Sequence, residues 1–136
     1  MRALVMMSGI GVLASLGIAP WPAAAAPMDG SVPMLCAVNS VVECSKLGDC
    51  ERVTAEDASV PPFVRINVPQ RVLSSVDGTR TSPIVSIQRT NGRLMLQGAQ
   101  NQRIWGAVIN EETGRMSATI GEDDGAIVLS GACIAP

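Results

Sequence analysis

From Ile84 to Cys133 apolar and polar residues alternate with a period of two, and turn residues interrupt the alternation at short intervals. That is the pattern of half-buried strands joined by tight turns. Ile84-Val-Ser-Ile-Gln-Arg-Thr90 and Arg93-Leu-Met-Leu-Gln-Gly98 flank Asn91-Gly92. Asn-Gly between β-prone runs predicts a type I′ hairpin, because that turn needs positive φ at both central residues. A two-residue loop pairs Thr90 with Arg93, so Ile87 faces Leu96 and Arg89 faces Leu94. The other face holds Ser86, Gln88, Thr90, Arg93 and Gln97, with Met95 its one apolar member.

Two further loops extend the ladder. A four-residue loop over Glu111–Gly114 sets Trp105 against Ile120, Ala107 against Ala118 and Ile109 against Met116. A second one over Glu122–Gly125 sets Ile120 against Ile127, Ala118 against Leu129 and Met116 against Gly131. The predicted core of these strands is therefore Trp105, Ile109, Met116, Ile120, Ile127 and Leu129, with the small Ala107 and Ala118 between them and Cys133 on the same face. A one-residue slip in any hairpin would turn that strand's apolar set to solvent, so the register is strongly specified.

The earlier chain reads more weakly. Met34–Cys44 is a first strand, with a turn at Asn39-Ser40, and Cys50–Thr54 a second. Ala55–Ala58 forms one helical turn, stopped by Pro61-Pro62. Phe63–Val68 alternates cleanly, and Pro69 limits its end to an edge or a bulge. Arg71–Val76 is short and runs into Asp77-Gly78. No segment has a helical period, so the fold class is all-β. The antiparallel meander of eight or nine strands closes into a small barrel or flattened barrel, which leaves no free edge. A two-sheet sandwich is the alternative.

The first residues stand outside this pattern. Arg2 precedes an apolar run from Ala3 to Ala19, then Pro20-Trp-Pro22 and Ala23–Ala26. These are the parts of a secretory signal peptide. Cleavage after Ala25 is expected, since cutting after Ala26 would place Pro27 next to the scissile bond. The domain organisation is thus a signal peptide over 1–25, a flexible leader over 26–33 and a single β-domain over 34–136. The expected localisation is the periplasm or the exterior, without membrane attachment after cleavage. Arg2 is the only charged residue removed, out of 10 basic and 12 acidic ones, which leaves a net charge of about −3. A mildly acidic chain gives no electrostatic basis for binding nucleic acid or an anionic membrane.

Cys36, Cys44, Cys50 and Cys133 all lie beyond the signal peptide. An even count in a small exported chain predicts two disulfides. Of the three possible connectivities, Cys44–Cys50 with Cys36–Cys133 clips a short loop and ties the start of the domain to its end. Zinc is disfavoured because no Cys-x-x-Cys pair is present.

The side-chain inventory narrows the chemistry. The chain has no histidine and no tyrosine, which removes Ser-His-Asp and Cys-His catalysis. No metal or cofactor site is expected. Glu111-Glu112 and Glu122-Asp123-Asp124 read as solvated turns, with a carboxylate-dependent hydrolase as the remote alternative. Candidate binding residues are Arg65, Arg80, Arg89, Arg93 and Arg103, which could gather around an anion. Lys46 sits in the clipped loop Ser45–Asp49, a preorganised contact surface.

Gly92-Arg-Leu-Met-Leu-Gln-Gly98, Trp105, Thr113-Gly-Arg-Met116 and Gly131-Ala-Cys133 together resemble a group of small exported proteobacterial proteins of unknown function. The likeness covers most of the mature chain and brings no catalytic residue. In size, disulfides and expected barrel form the chain also resembles the periplasmic inhibitors of c-type lysozyme, but it lacks their Ser-Gly-x-x-Tyr motif. The resulting expectation is a non-enzymatic exported binding domain for a small molecule or an envelope protein. An inhibitor of a lysozyme-like enzyme is the second reading.

Overall fold

A computed structural model describes residues 25–136. The expected signal peptide lies, except for its last residue, outside the described residues. Nine strands follow one another: β1 (Met34–Ser45), β2 (Cys50–Val53), β3 (Phe63–Asn67), β4 (Val72–Ser75), β5 (Thr81–Thr90), β6 (Arg93–Gln100), β7 (Arg103–Asn110), β8 (Arg115–Glu122) and β9 (Gly125–Ile134). Every pairing is antiparallel. From β3 each strand pairs with the next, and β9 returns to pair with β1. The result is a closed barrel of eight strands and not a sandwich, with β2 as an extra strand outside it. β1 is long enough to serve two partners on one edge. Met34–Ala37 pair with β3, and Val41–Cys44 pair with β2.

The turn chemistry produces the predicted ladder. Asn91 and Gly92 have φ of 49° and 71°, as a type I′ turn demands. Ile87 pairs with Leu96, Trp105 with Ile120, Ala107 with Ala118 and Ile120 with Ile127. The β8–β9 loop is shorter than the sequence reading gave. Glu122 pairs with Gly125, so only Asp123 and Asp124 form the turn. The register is unchanged, because shortening a loop symmetrically leaves the same residues opposite each other.

Two irregularities were not legible. The expected turn at Asn39-Ser40 is a bulge, and β1 runs on to Ser45. The extra residue lets Val38 and Val41 both face inward. A second irregularity at Val85 shifts the β5–β6 register, so Ile84 pairs with Gly98 and is buried at 2% exposure while Val85 is 65% exposed.

Both disulfides join directly opposed residues. Cys36–Cys133 spans the β1–β9 seam that closes the barrel, and Cys44–Cys50 clips β2 to β1. No described cysteine is free. Two disulfides fit an oxidising compartment. Among the described residues no helix is long and apolar enough to cross a membrane.

The two ends of the barrel differ. At one end lie the Asn91-Gly92 turn and the Glu111–Gly114 loop, joined by a hydrogen bond from the Glu111 N–H to the Gly92 carbonyl at 2.9 Å. The segment 26–33 is laid across this end. Met28 packs against the core, and Gly30 is buried beside Val68 and Leu94. Asp29 accepts a hydrogen bond from the Ser31 N–H at 2.8 Å and lies 3.8 Å from Arg89. Val41, Leu94, Leu96, Ile109 and Ile127 fill the interior with at most 2% exposure. The opposite end is open.

Candidate functional site: an apolar cavity at the open end

The interior pattern that packs one half of the barrel leaves a void in the other. A cavity of about 440 Å³ opens between the segment Ser59–Pro61, the β4–β5 connection and the β6–β7 turn. Its walls come from Trp105 and Ala107 on β7, Met116, Ala118 and Ile120 on β8, and Leu129 on β9. Val38, Val64, Ile66 and Leu73 face them from β1, β3 and β4. The space has a simple origin. Ala107 and Ala118 are opposite each other and both project inward, so two adjacent strands supply only methyl groups at mid-height. Trp105, Ala118 and Ile120 are accordingly only partly buried; the alternation puts Trp105 and Ile120 on the core face, and on that face they border a void. Ile109, Met116, Ile127 and Leu129 are buried at 6% exposure or less, as a packed interior requires.

Trp105 is held in one pose. Its indole Nε1–H donates to Ser82 Oγ at 2.8 Å, and Ser82 is 3% exposed. Gly98 stands directly opposite Trp105. A Cβ at position 98 would lie within 2.6 Å of two indole atoms and closer still to the Pro83 carbonyl oxygen, so only glycine lets the ring lie flat there. A half-buried indole thus has its single donor satisfied and one ring face available to the cavity.

The mouth is polar. Arg80, Gln100, Asn101 and Arg103 border it. Arg80 is placed by its turn: its N–H bonds to Ser75 Oγ at 3.0 Å, and its Nη1 donates to the Ser59 carbonyl at 2.7 Å. Asp77 orders that turn, accepting hydrogen bonds from Ser75 Oγ and from the Thr79 N–H and Oγ1. The Ser75 bond, followed by those from Thr79, lowers the Asp77 pKa from 3.8 to about 2. Arg103 occupies the inward register of β7, two residues before Trp105, and its Nη2 pairs with Glu122 Oε1.

The arginines and the lysine singled out in the sequence do not assemble. Arg89 does reach an end of the barrel, but the closed one, where its guanidinium lies 3.8 Å from Asp29 and 3.9 Å from Glu111. Arg93 turns back to the Asn91 carbonyl at 3.1 Å. Arg65 is exposed on the outside of β3. Lys46 meets Asp124 at 3.5 Å in a largely exposed pair at the tip of the clipped hairpin. Of that set only Arg80 and Arg103 border the cavity. Ser82, Gln100 and Asn101 were missed. Ser82 lies two residues before Ile84 and shares its inward face, but the irregularity at Val85 breaks the period that would have revealed it.

The acidic turns are likewise separated. Glu122 is paired with Arg103 and Asp124 with Lys46. Among the described residues no three histidine, cysteine or carboxylate side chains are placed to hold a metal ion. The groove between the β1–β2 hairpin and the β8–β9 turn, bordered by Glu43, Asp49, Glu51, Glu122 and Asp124, is therefore a field of spaced charges. Among the described residues the cavity is the one place where apolar surface, a fixed aromatic ring and converging polar groups coincide. Compared with protein-family models, curated proteins and solved structures, this chain matches none.

Proposed function

We propose that this protein is an exported, non-enzymatic binding domain that takes a small, mainly apolar molecule into the open end of its barrel. The cavity carries the reading. Its volume of about 440 Å³ lies within the range of roughly 300–1,000 Å³ usual for small-molecule sites, which are mostly apolar with a few placed polar groups. A domain of this size leaves such a space unfilled at a cost, because each missing methylene in a core forfeits transfer and packing energy. Support for export comes from the apolar run over Ala3–Ala19 and from the two disulfides.

Trp105 is the only tryptophan beyond the expected signal peptide, so its emission reports on the cavity directly. Titration of the purified mature protein with 1-aminonaphthalene-8-sulfonate and with medium-length alkyl compounds should change Trp105 emission and saturate. Ala118→Phe fills the space between Ala107 and Trp105 and should weaken binding at least about tenfold, as expected when a bulky ring takes the ligand's place. Unchanged affinity in Ala118→Phe would put binding elsewhere, and no saturable signal with any probe would remove the reading.

A further inference from the structure

The charges around the cavity are one-sided. The chain has more acidic than basic residues, yet among the described residues no aspartate or glutamate borders the cavity and the only two charged residues that do are Arg80 and Arg103. They belong to different elements, the β4–β5 connection and the start of β7. Arg80 makes no ion pair among the described residues; its Nη1 is bound to a neutral carbonyl, which leaves its other guanidinium donors unassigned. Arg103 is paired with Glu122, but that carboxylate borders the neighbouring groove and not the cavity. Gln100 and Asn101 add amide donors to the same lining. Below this rim the walls are mainly apolar, with Ser75 and Ser82 as buried hydroxyls, down to Ile66, Met116 and Leu129.

We propose, on the reading that the cavity is a ligand site, that its ligand is an anionic amphiphile. Its alkyl or ring portion lies against Trp105, Ala107 and Ala118, and its carboxylate or phosphate head is held at the mouth by Arg80 and Arg103. The guanidinium fork suits either head group, because both present two oxygens to parallel N–H donors. Placement at the mouth lets the head keep part of its hydration, so the charge is not buried in the apolar half of the barrel.

The test compares four ligands with one tail: dodecanoate, dodecyl phosphate, dodecanol and dodecyltrimethylammonium, each titrated against Trp105 emission. At least one anion should bind about tenfold or more tightly than dodecanol, the usual scale of a charge-assisted hydrogen bond, and the ammonium compound should bind most weakly. The two anions separate a carboxylate site from a phosphate site. Rising salt should weaken the anion and leave dodecanol nearly unaffected. Arg80→Gln and Arg103→Gln, each checked for a native Trp105 near-ultraviolet dichroism signal, should narrow the preference for the anion severalfold. Equal binding of dodecanol and both anions would overturn the anionic head while sparing the cavity as a site. A preference for the ammonium compound, or an anion preference untouched by salt and by both substitutions, would overturn it as well. Binding of none of the four would remove the underlying reading together with it.

Discussion

The Trp105–Ser82 hydrogen bond joins β7 to the start of β5 across the barrel wall, and it decides how the indole meets the cavity. Ser82→Ala leaves a half-buried N–H without its partner, so a loss of roughly 1–3 kcal/mol is expected. Urea denaturation followed by far-ultraviolet dichroism would measure it, and Trp105 emission should change in the folded state. Gly98→Ala should be costlier in structure, because its methyl group has to displace either the ring or the backbone at Pro83. Asp77 gives a pH signature at this scale. Its pKa is lowered on folding, so its contribution is fully present above the ordinary value of 3.8 and is lost as pH falls through about 2. The Thr79 amide proton, donated to Asp77 at 3.0 Å, should show a chemical-shift titration in that acidic window and none between pH 5 and 8.

The hairpin β1–β2 and the leader are elements with separate tests. Cys44–Cys50 holds a four-residue strand outside the barrel, where Cys50 is exposed, whereas Cys36 and Cys133 are 0% and 2% exposed. A thiolate must reach a sulfur to exchange with it. Mild dithiothreitol in native buffer should therefore open Cys44–Cys50 first, leaving one disulfide by mass spectrometry and the barrel dichroism intact. The leader contributes the Met28 contact and the Asp29–Arg89 pair. Removing residues 26–33 should lower stability by about 1–3 kcal/mol, the scale of burying one Met side chain, and the denaturation midpoint reads it. Hydrogen bonds from Ser31, and then the nearby Arg89, hold the Asp29 carboxyl below its ordinary value. Its contribution is thus present above pH 3.8 and fades as pH falls below that.

At the scale of the whole molecule, closure depends on β9 returning to β1, and Cys36–Cys133 locks that seam over a sequence separation of 97 residues. A crosslink over so long a loop removes much of the unfolded chain's freedom, and the double substitution Cys36→Ala/Cys133→Ala should cost about 2–5 kcal/mol. The cavity belongs to this scale too. Its walls are contributed by strands β1, β3–β5 and β7–β9 and its mouth by three connections, so no single element contains it.

How much was readable follows from the range of each interaction. The hairpins β5–β6, β7–β8 and β8–β9 join strands adjacent in sequence; turn residues and the period of two specify their registers locally, and Ile109, Met116, Ile127 and Leu129 could be assigned to the interior from the chain alone. The cysteine pairs were readable because four cysteines leave only three connectivities. The bulge at Asn39, the irregularity at Val85 and the place of β2 outside the barrel were not, since each answers to a partner strand or to closure. Nor did the sequence show that Trp105 and Ile120, correctly placed on the inward face, would border a void. Facing inward is a matter of alternation, but filling the interior depends on how many strands close around it and which side chains meet there. For the same reason Arg65, Arg89 and Arg93, which the sequence offers with Arg80 and Arg103 as one possible set, are dispersed in space, and Lys46 stays apart in its clipped loop. Arg80 and Arg103 border one mouth only because the closed barrel brings the β4–β5 connection and the start of β7 to the same end.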